Sequence, residues 1–374
     1  MKTVRVGLIG AGFMGEFHAR AYAMLGRLYS DLPVRLEVAA VADTNEDAAQ
    51  KLAERWNIER WTADWQSVAQ DPTLSAIDIC TPPSAHCQIA MAAIETGHAV
   101  YCEKPVGMSA AETAQMAGAA RAAGVATFVG FNYRWIPALS LARQLIRDGR
   151  IGEIVHVRMA KVSDSAADPK RGGWRFHSSE AGHGSLGDVG SHVFDLARSL
   201  AGDFAAVSGM TRTIITERPF RGGTSAVDTD DLWVALATFE SGASGSFEGS
   251  RVLQGRKADF TVEVSGTLGA VAWEQRRMNE LDLYLPRTDG LDGFTSIRIG
   301  PEHPDHGRFV PVRGHAIGFD DLKTIELSRF AAALAGVGAA EPTFEDALAV
   351  HRIVEAVPLR SWVSVRAEAA GLQT

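Results

Sequence analysis

Cysteine is scarce in this chain. Three occur in 374 residues, Cys80, Cys87 and Cys102, and no two are spaced as C-x-x-C. An odd, low count supports no disulfide framework and fits a reducing compartment. Without a C-x-x-C pair no zinc site is expected. Cys80 and Cys102, near the ends of apolar runs, are expected to be buried free thiols. Long apolar runs are missing too, and none approaches the length of a membrane span. The opening MKTVRVGLIG enters a strand at once, without the length or cleavage site of a secretory peptide. A cytoplasmic protein is therefore expected. There is also no basic excess. Lys and Arg total 37 against 45 Asp and Glu, a net charge of −8. That balance offers no electrostatic footprint for nucleic acid, and no basic run suggests an anionic membrane surface.

What is present is an ordinary globular composition, 46% hydrophobic and 22% charged, in a chain long enough for two domains. Over residues 4–130, short apolar runs (VRVGLIG, RLEVAAVAD, AIDICTP, HAVYCEKP, ATFVGF) alternate with helical stretches such as NEDAAQKLAERW and SAAETAQMAGAARAAG. Near-continuous apolar strands alternating with helices predict a parallel sheet covered on both faces. Thr44-Asn45 and Ser109 stand at N-cap positions, and Gly97 and Gly124 where helices should stop. After Asn132 the character changes. Longer alternating runs, among them DLWVALATFE and ADFTVEVSGTLGAVAWEQ, predict adjacent antiparallel strands with turns such as Ser241-Gly242. Helices are predicted over 186–200, 318–335 and 344–361. The expected organisation is an α/β domain over 1–131 and an α+β domain over 132–374. The last helix is a candidate to pack back on the first domain.

The motif Gly10-x-Gly12-x-x-Gly15 follows the first strand and opens a helix, the context in which it binds a dinucleotide. Gly10 permits the tight turn, Gly12 the approach of a pyrophosphate, and Gly15 close helix–strand contact. The helix N-terminus favours phosphate charge. With Phe13 and Met14 these residues form the candidate cofactor loop. Asp43 ends the second strand, 28 residues after Gly15. A carboxylate there accepts hydrogen bonds from a ribose diol and repels a 2′-phosphate, which favours NAD over NADP. Thr81 and Pro82 end a third apolar strand, and Glu103 and Lys104 a fourth, all at the carboxyl edge where open α/β sheets bind ligands. A lysine between a strand end and Pro105 is thus aimed at the cofactor crevice.

Asp188 and His192 lie four apart on a predicted helix and share one face. Transfer of hydride from an alcohol needs a group to take the hydroxyl proton, and histidine suits that near neutral pH. Lys104 would stabilise negative charge on the oxygen, and Asp188 would bind a neighbouring hydroxyl. An Asp–His pair at this spacing also suits a plain surface helix. His177, His183, Asp188 and His192 cluster in sequence, but at no zinc spacing, and no metal is expected.

Taken together, GLIGAGFMG, DICTPPSAH, CEKPVG, GFNYRW and GDVGSHVFDLARSL resemble the glucose–fructose oxidoreductase / inositol dehydrogenase (Gfo/Idh/MocA) family, in its order and over most of the chain. The resemblance implies an N-terminal Rossmann domain, a C-terminal α+β domain with an open, mainly antiparallel sheet, and NAD(P)-dependent oxidoreduction of a sugar or polyol. It places Lys104 at the active site before a proline whose preceding bond is often cis, Asp188 on substrate and His192 as acid/base. Which of Lys104 and His192 moves the proton stays open. His86 and Asn132 become candidate cofactor contacts. Ser84 and Ala85 depart from the Asn often found before the family's histidine. ADPKRGGWRFHSSEAGHGSLGD, ITERP, VDTDD and GPEHP resemble a branch of levoglucosan, inositol and glycoside dehydrogenases. That likeness brings Trp174 and Arg175 to the sugar pocket, where an aromatic face and a fork of donors suit a pyranose. Asn132 and Tyr133 are further substrate candidates, and a homodimer or homotetramer is implied. Two rival readings stand beside it: internal redox and elimination on a tightly held NAD in the same fold, and a nucleotide-sensing protein with a dead catalytic set, against which the intact Lys104, Asp188 and His192 count.

Overall fold

The computed structural model describes residues 2–359 and 361–365. They divide into two compact units. One holds the residues up to Trp135 together with Asp305–Leu348, the other Ile136–Pro304 and the residues from Ala349 on.

In the first unit, strands β1 (Lys2–Ile9), β2 (Val34–Ala42), β3 (Arg60–Thr62), β4 (Ala76–Ile79), β5 (Ala99–Cys102) and β6 (Thr127–Val129) form a parallel sheet in the order β3-β2-β1-β4-β5-β6. Helices α1 (Phe13–Leu28), α2 (Glu46–Trp56), α3 (Trp65–Ala69), α4 (Pro83–Glu95) and α5 (Ala110–Ala123) connect them. β4 and β5 are buried at every residue, as strands covered on both faces must be. Asn45 and Ser109 cap α2 and α5 by accepting the N–H groups of Ala48 and Glu112, and α5 ends on a left-handed Gly124. β3 escaped the sequence reading because its Arg-Trp-Thr is exposed to half-buried and has no apolar run to mark it. The order reverses between β1 and β4, the switch point that opens a ligand crevice at the carboxyl ends of the strands.

The second unit begins with α6 (Pro137–Arg147). Its sheet comprises β7 (Ile154–Val162), β8 (Phe204–Arg212), β11 (Leu232–Phe239), β12 (Ser244–Ser250), β13 (Asp259–Gly266), β14 (Ala270–Glu274), β15 (Glu280–Tyr284), β16 (Thr295–Arg298) and β17 (Val363–Ser364). A separate hairpin pairs β9 (Glu217–Phe220) with β10 (Gly223–Ala226). All pairings in the large sheet are antiparallel except β7 with β12. β11 alternates buried and exposed residues, so the pleat puts one set of side chains in the core. Between β7 and β8 lie the short α7 (Ser178–Ala181), a π-helical turn at Leu186–Gly190, and α8 (Ser191–Ala201). The single helix predicted over 186–200 is thus interrupted at its first turn.

The chain then returns to the first unit through α9 (His306–Phe309) and α10 (Asp321–Leu334), before α11 (Phe344–Ala356). A single cut at 131 therefore differs from the observed division. The cause is α10, which packs on α1 and buries Lys323, Thr324, Glu326 and Ser328 along with its apolar residues. The residues of α11 up to Leu348 belong to the first unit and those from Ala349 to the second.

Candidate active site

The glycine loop is fixed by close backbone approach. Gly10 has φ +106°, and a Cβ there would lie 2.6 Å from the Cys80 carbonyl carbon; at Gly15 it would lie 2.0 Å from the Gly10 oxygen. At Gly12 it would meet no protein atom within 4 Å, so nothing in the chain itself calls for glycine there. Passage of a pyrophosphate does. No side chain caps the start of α1, leaving its first N–H groups for an anion. Asp43 Oδ2 accepts the Ala11 N–H (2.7 Å) and Oδ1 the Asn45 N–H (2.8 Å). The carboxylate thereby joins the end of β2 to the glycine loop, with lone pairs left for a ribose diol. Thr81 Oγ1 is buried without a hydrogen-bond partner among the described residues. Phe13 is 73% exposed beside Phe17, and Met14 is half-buried. These residues fit a dinucleotide.

His86 and Glu103, both expected to touch the cofactor, face inward. His86 is buried, with Nδ1 2.9 Å from the Pro105 carbonyl and Nε2 2.8 Å from that of Thr81. Burial lowers its pKa against the pull of those carbonyls. It ties the Thr81-Pro82 turn to the Lys104–Pro105 peptide, which is cis. Glu103 Oε1 accepts from Lys323 Nζ (2.7 Å) and lies 3.1 Å from His18 Nε2, while Oε2 accepts the Lys104 N–H (3.2 Å). His18 Nδ1 meets Asp78 Oδ2 at 2.7 Å, which also accepts from Tyr22 (2.9 Å). Lys323 donates further to Glu326 (2.5 Å) and Tyr101 (3.2 Å). Burial alone would lower the pKa of Lys323 and raise that of Glu103. Their mutual attraction wins, holding Lys323 above its usual value and Glu103 well below its own. His18 is raised: burial opposes the shift, but Asp78 outweighs it. Glu326 is raised by burial and by Glu103, against Lys323. His18, Asp78 and Cys80 are close enough together to suggest metal ligands. Their short hydrogen bonds, and a thiol that burial and Asp78 keep protonated, read instead as part of this network.

Lys104 is half-buried on this platform. Gly130 packs so tightly on Glu103 that a Cβ would lie 2.6 Å from its carboxylate. The platform therefore also sets the segment carrying Asn132 and Tyr133, both buried. Lys323 and Glu326 were missed from sequence. Their one signal is a Lys-x-x-Glu pair flanked by Leu322, Ile325 and Leu327.

In the second unit, Asp188 lies in the π-helical turn and His192 in the first turn of α8, both half-buried. Single π turns inside helices often mark functional sites. Trp174 and Arg175 form a short 3-10 turn, with the guanidinium 4.2 Å over the indole. Phe176, the next residue, lies between the buried guanidiniums of Arg218 (4.0 Å) and Arg251 (4.6 Å). Arg218 donates to the carbonyls of Ala166, Asp168 and Arg171. The loop bearing Trp174 is therefore built rather than loose. Lys104, Asn132 and Tyr133 belong to the first unit, and Trp174, Arg175, Asp188 and His192 to the second.

A Rossmann sheet with a glycine loop and a strand-end carboxylate, joined to a mixed-sheet unit, defines an NAD-binding oxidoreductase. Residues 4–131 match the model of the oxidoreductase family with the NAD-binding Rossmann fold, and residues 139–272 that of the GFO/IDH/MocA C-terminal domain. The chain belongs to this family. It is 37% identical to levoglucosan dehydrogenase of Pseudarthrobacter phenanthrenivorans, covering 98% of this chain and 99% of that protein. It is 29% identical to inositol 2-dehydrogenase of Rhizobium meliloti over 95% of this chain and 96% of that one. Among solved structures, levoglucosan dehydrogenase in complex with NADH and levoglucosan superimposes with a TM-score of 0.94 at 37% identity, covering 97% of this chain and all of that one. Among the described residues, no helix is long and apolar enough to cross a membrane.

Proposed function

We propose that the protein oxidises a secondary ring hydroxyl of levoglucosan, or of a related anhydrosugar, inositol or glycoside, to a ketone, using NAD in preference to NADP. The reading is carried by end-to-end likeness to levoglucosan dehydrogenase, including its complex with NADH and levoglucosan. When bound, NAD accepts the hydride at C4 of its nicotinamide. Lys104 holds the hydroxyl oxygen and stabilises its developing negative charge. His192 or Lys104 accepts the proton. Asp188 accepts a hydrogen bond from a neighbouring hydroxyl and fixes which carbon is presented. Trp174 supplies a face for the apolar side of the ring, and Arg175 donors for its rim, with Asn132 and Tyr133 as further contacts. Asp43 engages the ribose diol of the adenosine half, and no Lys or Arg follows it directly to meet a 2′-phosphate. Exposed Met210, Val234 and Leu236 on the large sheet suit a homodimer or homotetramer.

The test is NADH absorbance over levoglucosan, inositols, aldoses and glycosides, with NAD and NADP in parallel. Turnover of an anhydrosugar or inositol with NAD is expected. Bound NAD without NADH formation from any polyol would refute the reading.

A further inference from the structure

We infer that Asp230 is a positioning residue for the proposed catalytic helix, fixing the turn that carries Asp188 and aims His192. The inference rests on the proposed roles of those two residues. Asp230 lies just before β11. Its Oδ1 accepts the Gly184 N–H (3.1 Å), its own carbonyl the Ser185 N–H (2.8 Å), and its Oδ2 the Leu186 N–H (2.8 Å). Three successive amides thus end on one residue. One step further, the Gly184 carbonyl accepts the Asp188 N–H (3.0 Å). The chain from Asp230 to Asp188 is therefore two hydrogen bonds long.

The glycines of GSLGDVG make this contact possible. A Cβ at Gly184 would lie 2.2 Å from the Asp230 carbonyl oxygen. One at Gly187 would lie 2.6 Å from His183 Cβ, and one at Gly190 3.1 Å from the Trp233 ring. At Gly184 the neighbour is backbone, so a side chain there would push the turn out, while Gly187 and Gly190 pack closely on side chains. The π turn that opens the helix begins at Leu186, the last of the three amides that Asp230 accepts.

The neighbouring acids anchor other pieces. Asp228 accepts the Ser178 N–H and hydroxyl, both at 2.7 Å. Asp231 accepts Ile214 and Ile215 N–H and pairs with Arg251, whose Nη1 donates to the Arg175 carbonyl (3.0 Å). The run Val227–Asp231 is therefore a common anchor for the Trp174–Arg175 turn and the Asp188 turn. Burial also pushes the Asp230 pKa up to about 6, against the two amides and Arg251. A carboxylate kept there at a cost in stability fits a positional role.

The experiment compares full-length wild type with Asp230→Asn, Asp230→Ala, Gly184→Ala and His192→Ala. It measures NADH affinity by fluorescence titration, steady-state kinetics with levoglucosan across pH, and amide exchange over 184–188 in the NADH-bound protein. Asp230→Ala should keep NADH affinity within twofold, lose at least tenfold in kcat/KM, and shift the pH limb assigned to His192. Amides 184–188 should lose protection while the sheet keeps its own. Asp230→Asn, which keeps one acceptor, should fall between. Gly184→Ala displaces the turn without removing the charge and should reproduce the loss, so a poorly folding Asp230→Ala still leaves a test. Unchanged kcat/KM together with unchanged exchange at 184–188 would overturn the inference. Retained turnover in His192→Ala would instead remove the role of His192 on which the inference rests, while absence of NADH formation by the wild type would sink the functional reading, whatever the Asp230 variants do.

Discussion

Replacing Lys323 by Met removes one charge from the centre of the first unit. Lys323 is 3% exposed and lies within 2.7 Å of Glu103, 2.5 Å of Glu326 and 3.2 Å of the Tyr101 hydroxyl. Met fills the lysine stem, so loss of packing is a minor part of the effect. The major part is electrostatic. Two buried carboxylates would be left without the ammonium between them, with the His18 ring 3.1 Å from Glu103. Breaking a buried pair by deleting one partner costs about 3–5 kcal/mol. For a unit of this size that corresponds to a fall of roughly 6–20 °C in melting temperature. Differential scanning calorimetry without cofactor is the assay. Adding Glu326→Gln should recover part of the loss, with a coupling of about 1–3 kcal/mol. Because Glu103 accepts the Lys104 N–H, turnover should fall on the order of tenfold even at temperatures where the variant is folded. A melting temperature within 2 °C of wild type would refute the account of Lys323 as the cation that keeps this network ionised.

Asp43→Ala deletes the acceptor for two amides and the proposed ribose contact. It should raise the Kd for NAD by about tenfold, near 1.4 kcal/mol, and narrow the preference over NADP, as titrations with both dinucleotides would show. Lys104→Ala should lower kcat by about 100-fold or more and leave NADH affinity nearly unchanged. His351 is buried near His183, and burial lowers its pKa to about 3, with a smaller push from His183. A depressed histidine contributes stability that is present above its unfolded pKa near 6.5 and is lost as pH falls toward the folded value. Between pH 7 and 4.5 the second unit should lose roughly 2–3 kcal/mol from this group. His351→Gln should flatten that acid slope in denaturant melts.

The first sheet was legible because the interior strands, at least over their carboxyl halves, are buried on both faces and so write apolar runs. β4 and β5 are the clearest cases. β3, lying at the sheet edge and half in solvent, writes none. The second sheet was legible for a different reason, the period-two alternation of strands such as β11. Strand ends located Asp43 and Lys104, since a carboxyl edge is a place in sequence as well as in space. The supports beneath them were not legible. Lys323 and Glu326 stand 220 and 223 positions from Glu103, in a helix whose charged residues read as a solvent face until α1 and β5 are seen to cover them. The π turn was invisible as well. GSLGDVGSHV carries a helical pattern, and only the backbone of Leu186–Gly190 reveals that its first turn is wider.

Both proposed catalytic groups are supported through the main chain. Glu103 receives the N–H of Lys104, and the carbonyl of Gly184, whose own N–H is held by Asp230, receives that of Asp188. A side-chain deletion at 104 or 188 leaves those bonds standing. Deletion of the supporting group removes them while leaving the reactive side chain in the protein. Two distinguishable phenotypes follow from one geometry. Lys104→Ala should melt within about 1 kcal/mol of wild type, because a half-buried side chain away from the core is lost. Its turnover should nevertheless fall by about 100-fold or more. Lys323→Met keeps the reactive ammonium and should lose far more stability than Lys104→Ala. If Lys104→Ala proved as destabilising as Lys323→Met, the lysine at 104 would belong to the buried network itself. Its place as a group presented to substrate would then have to be abandoned.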